Sequence, residues 1–293
     1  AYVLSHRYAP RERATGKPKL TVQKAADWVL VALLAPLFAI SAYVAFWTPI
    51  YWSDSVYYYD GLGRILSIDG TIYSEALKST VFVYGQPALL VQILQAGTHL
   101  LSDDRVGVLY AGFYASLVLM FAFLRWEQPQ GVYSSFRRLL PSLPWRLITL
   151  CFATVPFVLA MGYVVASSLP GAAYFLGGVL VWKRFMEQPS RQLAVLSGAL
   201  FAMCSWTRTE AIYFYLPVLV ITLVMATVRP GVRRHVLAFV LPLLVLNVSL
   251  YAFILISGQL FAYTRTVPLP HLDLAIVLGA VGCAVAVTLL RQG

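Results

Sequence analysis

Eight uncharged apolar runs separated by polar intervals organise this chain, over residues 28–47, 106–124, 147–166, 172–182, 193–206, 211–228, 236–256 and 274–290. A run of about 20 such residues spans a hydrocarbon layer of about 30 Å as a helix, and most of the eight approach that length. Runs 172–182 and 193–206 are shorter. The first run carries a tryptophan at each end for the two interfaces, and no small-residue cleavage site follows it, so it reads as a signal anchor and not a removable peptide. A ninth apolar stretch, 88–101, contains Gln92, Gln95 and His99 and is too short and too polar for a span. It is expected as a re-entrant or interfacial helix. The pattern predicts an all-α fold: a polytopic transmembrane helical bundle of about eight spans, with a long first extracytoplasmic loop, 48–105, that contains amphipathic juxtamembrane helices.

Within that loop the spacing predicts a short helix lying on the membrane. Ser53 or Asp54 can cap it, Tyr58, Leu62 and Ile65 or Leu66 share one face, and Asp60 and Arg64 pair at i, i+4 on another. That pair reads as a surface ion pair. Gly70 ends the pattern, and Tyr84, Gly85 and Pro87 mark a second turn. His99 reads as a hydrogen-bonded packing residue.

Composition agrees with a membrane protein: mean hydropathy is +0.75 and only 12% of residues are charged. The net charge of +10 would suit nucleic acid only if it formed a continuous basic surface, and here apolar runs cut it up, so no nucleic-acid partner is expected. Cys151, Cys204 and Cys283 each lie inside an apolar run and read as small packing residues.

Charge also sets the topology. Residues 1–27 form a basic tail with Arg7, Arg11, Arg13, Lys17, Lys19 and Lys24. If 88–101 does not cross, the tail side holds all but five of the 22 Lys and Arg, the five being Arg64, Lys78, Arg105, Arg208 and Arg265. If it does cross, the tail side keeps only the tail's own cations with Arg105, Arg208 and Arg265 added. Positive-inside asymmetry favours the first arrangement, with the tail cytoplasmic. The far side then carries Asp54, Asp60, Asp69, Glu75, Asp103, Asp104, Glu210 and Asp273 beside the five remaining cations. Arg105, Arg208 and Arg265 sit at the far ends of spans, where topology gives a cation little reason to be.

The order of these features resembles the GT-C class of integral-membrane glycosyltransferases, which includes the protein O-mannosyltransferase, aminoarabinose transferase and mycobacterial mannosyltransferase families. The resemblance rests on Asp54, Tyr58, Gly70 to Tyr73, Phe82 to Pro87 and Arg105 after the first span, and on Trp206-Thr207-Arg208-Thr209-Glu210 after a later one. It covers about 28–260, and leaves 261–293 as the start of another outer loop and a last span. Ser55 stands where many relatives carry a second acid.

What the resemblance implies is a hexosyl or pentosyl transferase that moves a sugar from a polyprenyl-phosphate donor to an acceptor on the extracytoplasmic side. The acceptor hydroxyl must lose a proton as it attacks the anomeric carbon, and the leaving phosphate must be stabilised. Asp54, beside Trp52, Tyr57 and Tyr58, is the candidate general base. Arg105 and Arg208 are the candidates for the phosphate, since a guanidinium fork donates two hydrogen bonds and stays charged in a dry site. Tyr58, Arg64, Lys78, Glu210 and Arg265 complete the expected substrate-binding set. Capping offers Asp54 an alternative role, and Arg208 with Glu210 an alternative as a local pair. No cofactor is required beyond the lipid-linked donor, and no residue spacing supports a divalent metal. Polyprenyl phosphate, membrane lipids and a membrane protein complex are the expected partners, and a bacterial inner membrane is the expected location. A non-catalytic subunit of the same fold is the second reading. A lipid or solute transporter is the third, disfavoured because the spans carry almost no charge.

Overall fold

The computed structural model describes residues 18–47, 60–70, 90–102, 105–126, 145–161, 168–207, 211–256 and 270–289. All secondary structure among them is helical. In chain order the helices are α1 (Pro18–Trp47), α2 (Gly61–Asp69), α3 (Leu90–Ser102), α4 (Gly107–Trp126), α5 (Trp145–Thr154), α6 (Pro156–Met161), α7 (Ser168–Glu187), α8 (Arg191–Thr207), α9 (Ala211–Val228), α10 (Pro230–Ile256) and α11 (Pro270–Leu289).

Among the described residues, three stretches are long and apolar enough to cross a membrane: Trp28–Trp47, Ala211–Val228 and Pro230–Ala252. Their outward faces are apolar as well. On α9, Phe214 is 58% exposed and Val224 56%, a pattern that is stable against lipid and costly against water. The chain is therefore a helical membrane protein with these three candidate spans.

Prolines accompany three departures from the apolar pattern. The run 147–166 is not one helix: α5 and α6 meet at Val155, because Pro156 lacks the N–H that a continuous helix needs and pushes the preceding residue away from helical geometry. Pro36, Pro217 and Pro242 lie inside α1, α9 and α10, while Pro170 and Pro230 stand at helix starts. Pro170 falls in the first turn of α7, which begins four residues before the apolar run, and Pro230 starts α10 six residues early.

The main core joins α7 to α11 around Phe185, Phe201, Tyr215, Phe239 and Leu243. A second cluster joins α1, α4, α5 and α7 through Leu34, Tyr114, Val118, Ala153 and Leu169. Polar side chains inside these cores bond across helices. Trp182 Nε1 donates to Thr222 Oγ1 at 2.8 Å, Trp206 Nε1 to the Leu246 carbonyl at 2.8 Å, and Tyr114 to the Ala153 carbonyl at 2.7 Å. Such bonds add on the order of 0.6–2 kcal/mol each between helices in an apolar medium. Of the cysteines, Cys204 is buried in the core, while Cys151 and Cys283 are exposed.

Helices α8 and α10 cross closely at Gly198. A Cβ on Gly198 would lie 2.1 Å from the Phe239 carbonyl oxygen, so glycine is required for the two backbones to meet. Gly198→Ala is expected to lower stability by about 1–3 kcal/mol, the usual range for overpacking a rigid contact. Unfolding by increasing dodecyl sulfate in mild detergent measures it, and an unchanged midpoint would show that the helices separate at no cost.

Candidate functional site

Helices α2 and α3, both from the interval 48–105, form a small unit with its own apolar contact among Leu62, Leu66 and Ala96. Gly70, at φ 63°, closes α2 by donating its N–H to the Leu66 carbonyl, as the sequence led us to expect. Asp60, at the start of α2, has helical backbone and makes no side-chain cap. The expected caps Ser53 and Asp54 lie outside the described residues. At about 1.5 Å per residue, the 13 residues of α3 reach roughly 20 Å, short of a bilayer's hydrocarbon width.

The polar residues of α3 recur at spacings of three and four, which places Gln92, Gln95 and His99 on one face. That face is buried: Gln92 and Gln95 are both 0% exposed. Gly63 lets α3 approach, since a Cβ there would sit 2.8 Å from the Gln95 Cβ. Asp60 of the α2 segment meets His99, and Gly63 meets Gln95, so the two helices cross antiparallel.

At this crossing lies a buried carboxylate. Arg64 Nε donates to Asp60 Oδ2 at 2.8 Å, and His99 Nε2 lies 2.9 Å from Asp60 Oδ1. The second contact is at ion-pair distance but lacks the geometry of a directional hydrogen bond. The Asp60 and His99 side chains are 7% and 5% exposed, whereas Arg64 is 45% exposed. Arg64 is therefore reached by solvent while its partner is not.

The expected pairing of Asp60 with Arg64 is present, but it is not a surface pair. A short amphipathic helix alone would leave Asp60 solvated, and α3 covers it. His99 is a packing residue that also supplies the second partner of a buried acid. The available signal was the polar stripe Gln92, Gln95, His99 on an otherwise apolar helix, because buried polar groups demand polar partners.

Gln95 Nε2 donates to Tyr110 Oη at 2.9 Å and so ties the unit to α4. The Gln95 Oε1 is buried and accepts no hydrogen bond among the described residues. Close to the start of α4, Arg105 Nη1 donates to the Phe46 carbonyl at 2.9 Å, and its guanidinium carbon lies 4.4 Å from the Phe46 ring centroid and 5.2 Å from that of Trp47. Arg105, expected at a phosphate, thus caps the C-terminal end of α1, where unsatisfied carbonyls and the helix dipole favour a cation. One of its five N–H donors is used in this way.

Of the expected site residues, the described structure brings Arg64 to Asp60 and His99 and holds Arg105 at the end of α1. Asp54, Tyr58, Lys78, Arg208, Glu210 and Arg265 lie outside the described residues. Trp206 and Thr207, which begin the Trp206–Glu210 element, close α8, with Thr207 Oγ1 donating to the Cys204 carbonyl at 2.7 Å. Asp60 and His99 supply two donors, too few for a metal ion, and the described residues contain no group of three that could hold one.

Fold and site define a helical membrane protein with a buried Asp–His pair and a half-exposed Arg in the segment between its first two long helices. Compared with known proteins, the chain matches no family model, no curated protein and no solved structure.

Proposed function

We propose that this protein is a membrane glycosyltransferase that moves a hexosyl or pentosyl group from a polyprenyl-phosphate donor to an acceptor hydroxyl on the side opposite the basic tail. The bundle would comprise about eight spans in a bacterial inner membrane, with the tail cytoplasmic. The observation that carries the reading is the buried Asp60–His99 pair with the half-exposed Arg64 beside it. The described helices of that interval, α2 and α3, meet around ionisable groups and are tied to α4 through Gln95 and Tyr110, which supports a water-restricted site for a charged donor.

In this reading Asp54, six residues before Asp60, takes the proton from the acceptor hydroxyl as its oxygen bonds to the anomeric carbon. The bond from that carbon to the phosphate oxygen breaks, and the polyprenyl phosphate leaves against guanidinium groups. Asp60 and His99 position α2, so the half-exposed Arg64 is presented in a fixed direction. Arg208 is the principal phosphate partner, with Lys78 and Arg265 in support. Tyr58 and Glu210 contact the sugar.

Arg105 favours a second reading. Its engagement with the α1 terminus gives it an architectural role, as expected of a non-catalytic subunit that keeps the fold and binds a lipid or partner protein. Transfer from a radiolabelled polyprenyl-phosphate sugar by the purified protein, with Asp54→Asn alongside, separates the two. Equal transfer by both proteins removes Asp54 from the mechanism, and transfer by neither supports the subunit.

A further inference from the structure

A second cationic site lies away from this cluster. A cavity of about 410 Å³ opens where α8 and α10 begin beside α11, lined at its polar end by Arg191, Arg234 and His235. Its remaining wall is apolar, and includes Leu237, Leu241 and Val281. Leu241 is 58% exposed and Leu237 37%, so the apolar wall opens outward from the bundle.

The cations of the intervals 183–192 and 229–235 divide by what they hold. Arg229 donates to the Met186 carbonyl, Arg233 to the Ala226 and Thr227 carbonyls, and Lys183 pairs with Glu187 at 3.9 Å. Arg184 is also engaged. Arg191 and Arg234 have no such partner among the described residues. The first turns of α8 and α10 contain no acid to offset them. Their helix dipoles therefore add to the positive field at the cavity. Two unneutralised guanidinium groups and an imidazole above an outward-facing apolar wall match an anion joined to a hydrocarbon chain. A free anion would leave that wall uncovered.

We propose that this cavity binds an anionic phospholipid, with its headgroup phosphate between Arg191, Arg234 and His235 and an acyl chain along Leu237, Leu241 and Val281. These cations belong to the intervals that charge places on the tail side, where anionic lipid headgroups meet basic pockets between helices. The site is separate from the proposed transfer chemistry and does not depend on it.

The test uses the full chain in mild detergent with dioleoyl phosphatidylglycerol, dioleoyl phosphatidylcholine or inorganic phosphate, read by native mass spectrometry and thermal unfolding. Phosphatidylglycerol is expected to be retained and to raise the melting temperature, and the other two are not. An Arg191→Gln/Arg234→Gln variant should bind phosphatidylglycerol about 30-fold more weakly, from the usual contribution of each surface cation, while melting like the parent without lipid. Equal retention of the two phospholipids, or undiminished binding by the variant, overturns the proposal. Stabilisation by phosphate alone to the same extent assigns the site to a free anion and also overturns it. Should the double variant not fold, Ala238→Phe narrows the apolar wall and leaves both guanidinium groups in place, and undiminished binding by it counts equally against the proposal.

Discussion

Replacing His99 by leucine is expected to destabilise the protein by about 3 kcal/mol, and replacing Asp60 and His99 together by leucine is expected to recover more than half of that loss. In the single variant the Asp60 carboxylate, 7% exposed, loses the partner of its Oδ1 and, among the described residues, keeps Arg64 alone. Because Arg64 is 45% exposed, water screens that remaining pair, which cannot replace a buried contact. An acid buried with half its partners gone costs far more than the pair contributes when complete. The double variant removes the acid as well and extends the contact of Leu62, Leu66 and Ala96. Dodecyl sulfate unfolding of the parent, both single variants and the double variant gives the coupling energy. A double variant no more stable than His99→Leu would show that Asp60 is not held at His99's expense.

The second large effect is on chemistry. Asp54→Asn is expected to lower sugar transfer by about 10²- to 10⁴-fold, the usual contribution of a general base, with no comparable change in the unfolding midpoint. Asparagine keeps the size and the capping ability of aspartate but cannot accept the acceptor's proton. The comparison therefore separates proton transfer from a capping role, since a cap lost or weakened would shift stability by about 1 kcal/mol and leave the rate largely intact. Transfer within tenfold of the parent would assign the base elsewhere, and Asp60→Asn would then be the next variant to assay.

Much of the architecture was legible in the order of residues. Uncharged runs announced helices at 28–47, 106–124, 211–228 and 236–256, and α1, α4, α9 and α10 occupy those places. A run says only that a segment avoids water. Pro156 splits one such segment into α5 and α6, and helices α7 and α10 start ahead of their apolar runs because a proline is welcome in a first turn.

The candidate site was legible only in part. Periodicity alone put Asp60 and Arg64 one turn apart and Gln92, Gln95 and His99 on one face, since both follow from the 3.6-residue repeat. That these two sets meet, that Asp60 is shielded from water, that Gly63 and Gly198 sit at crossings too close for a methyl group, and that Arg105 closes the end of α1 were decided by tertiary structure alone. Local spacing fixes which face of a helix a side chain occupies. Which other helix covers that face depends on contacts between segments distant in sequence, and those exist only once the chain has folded.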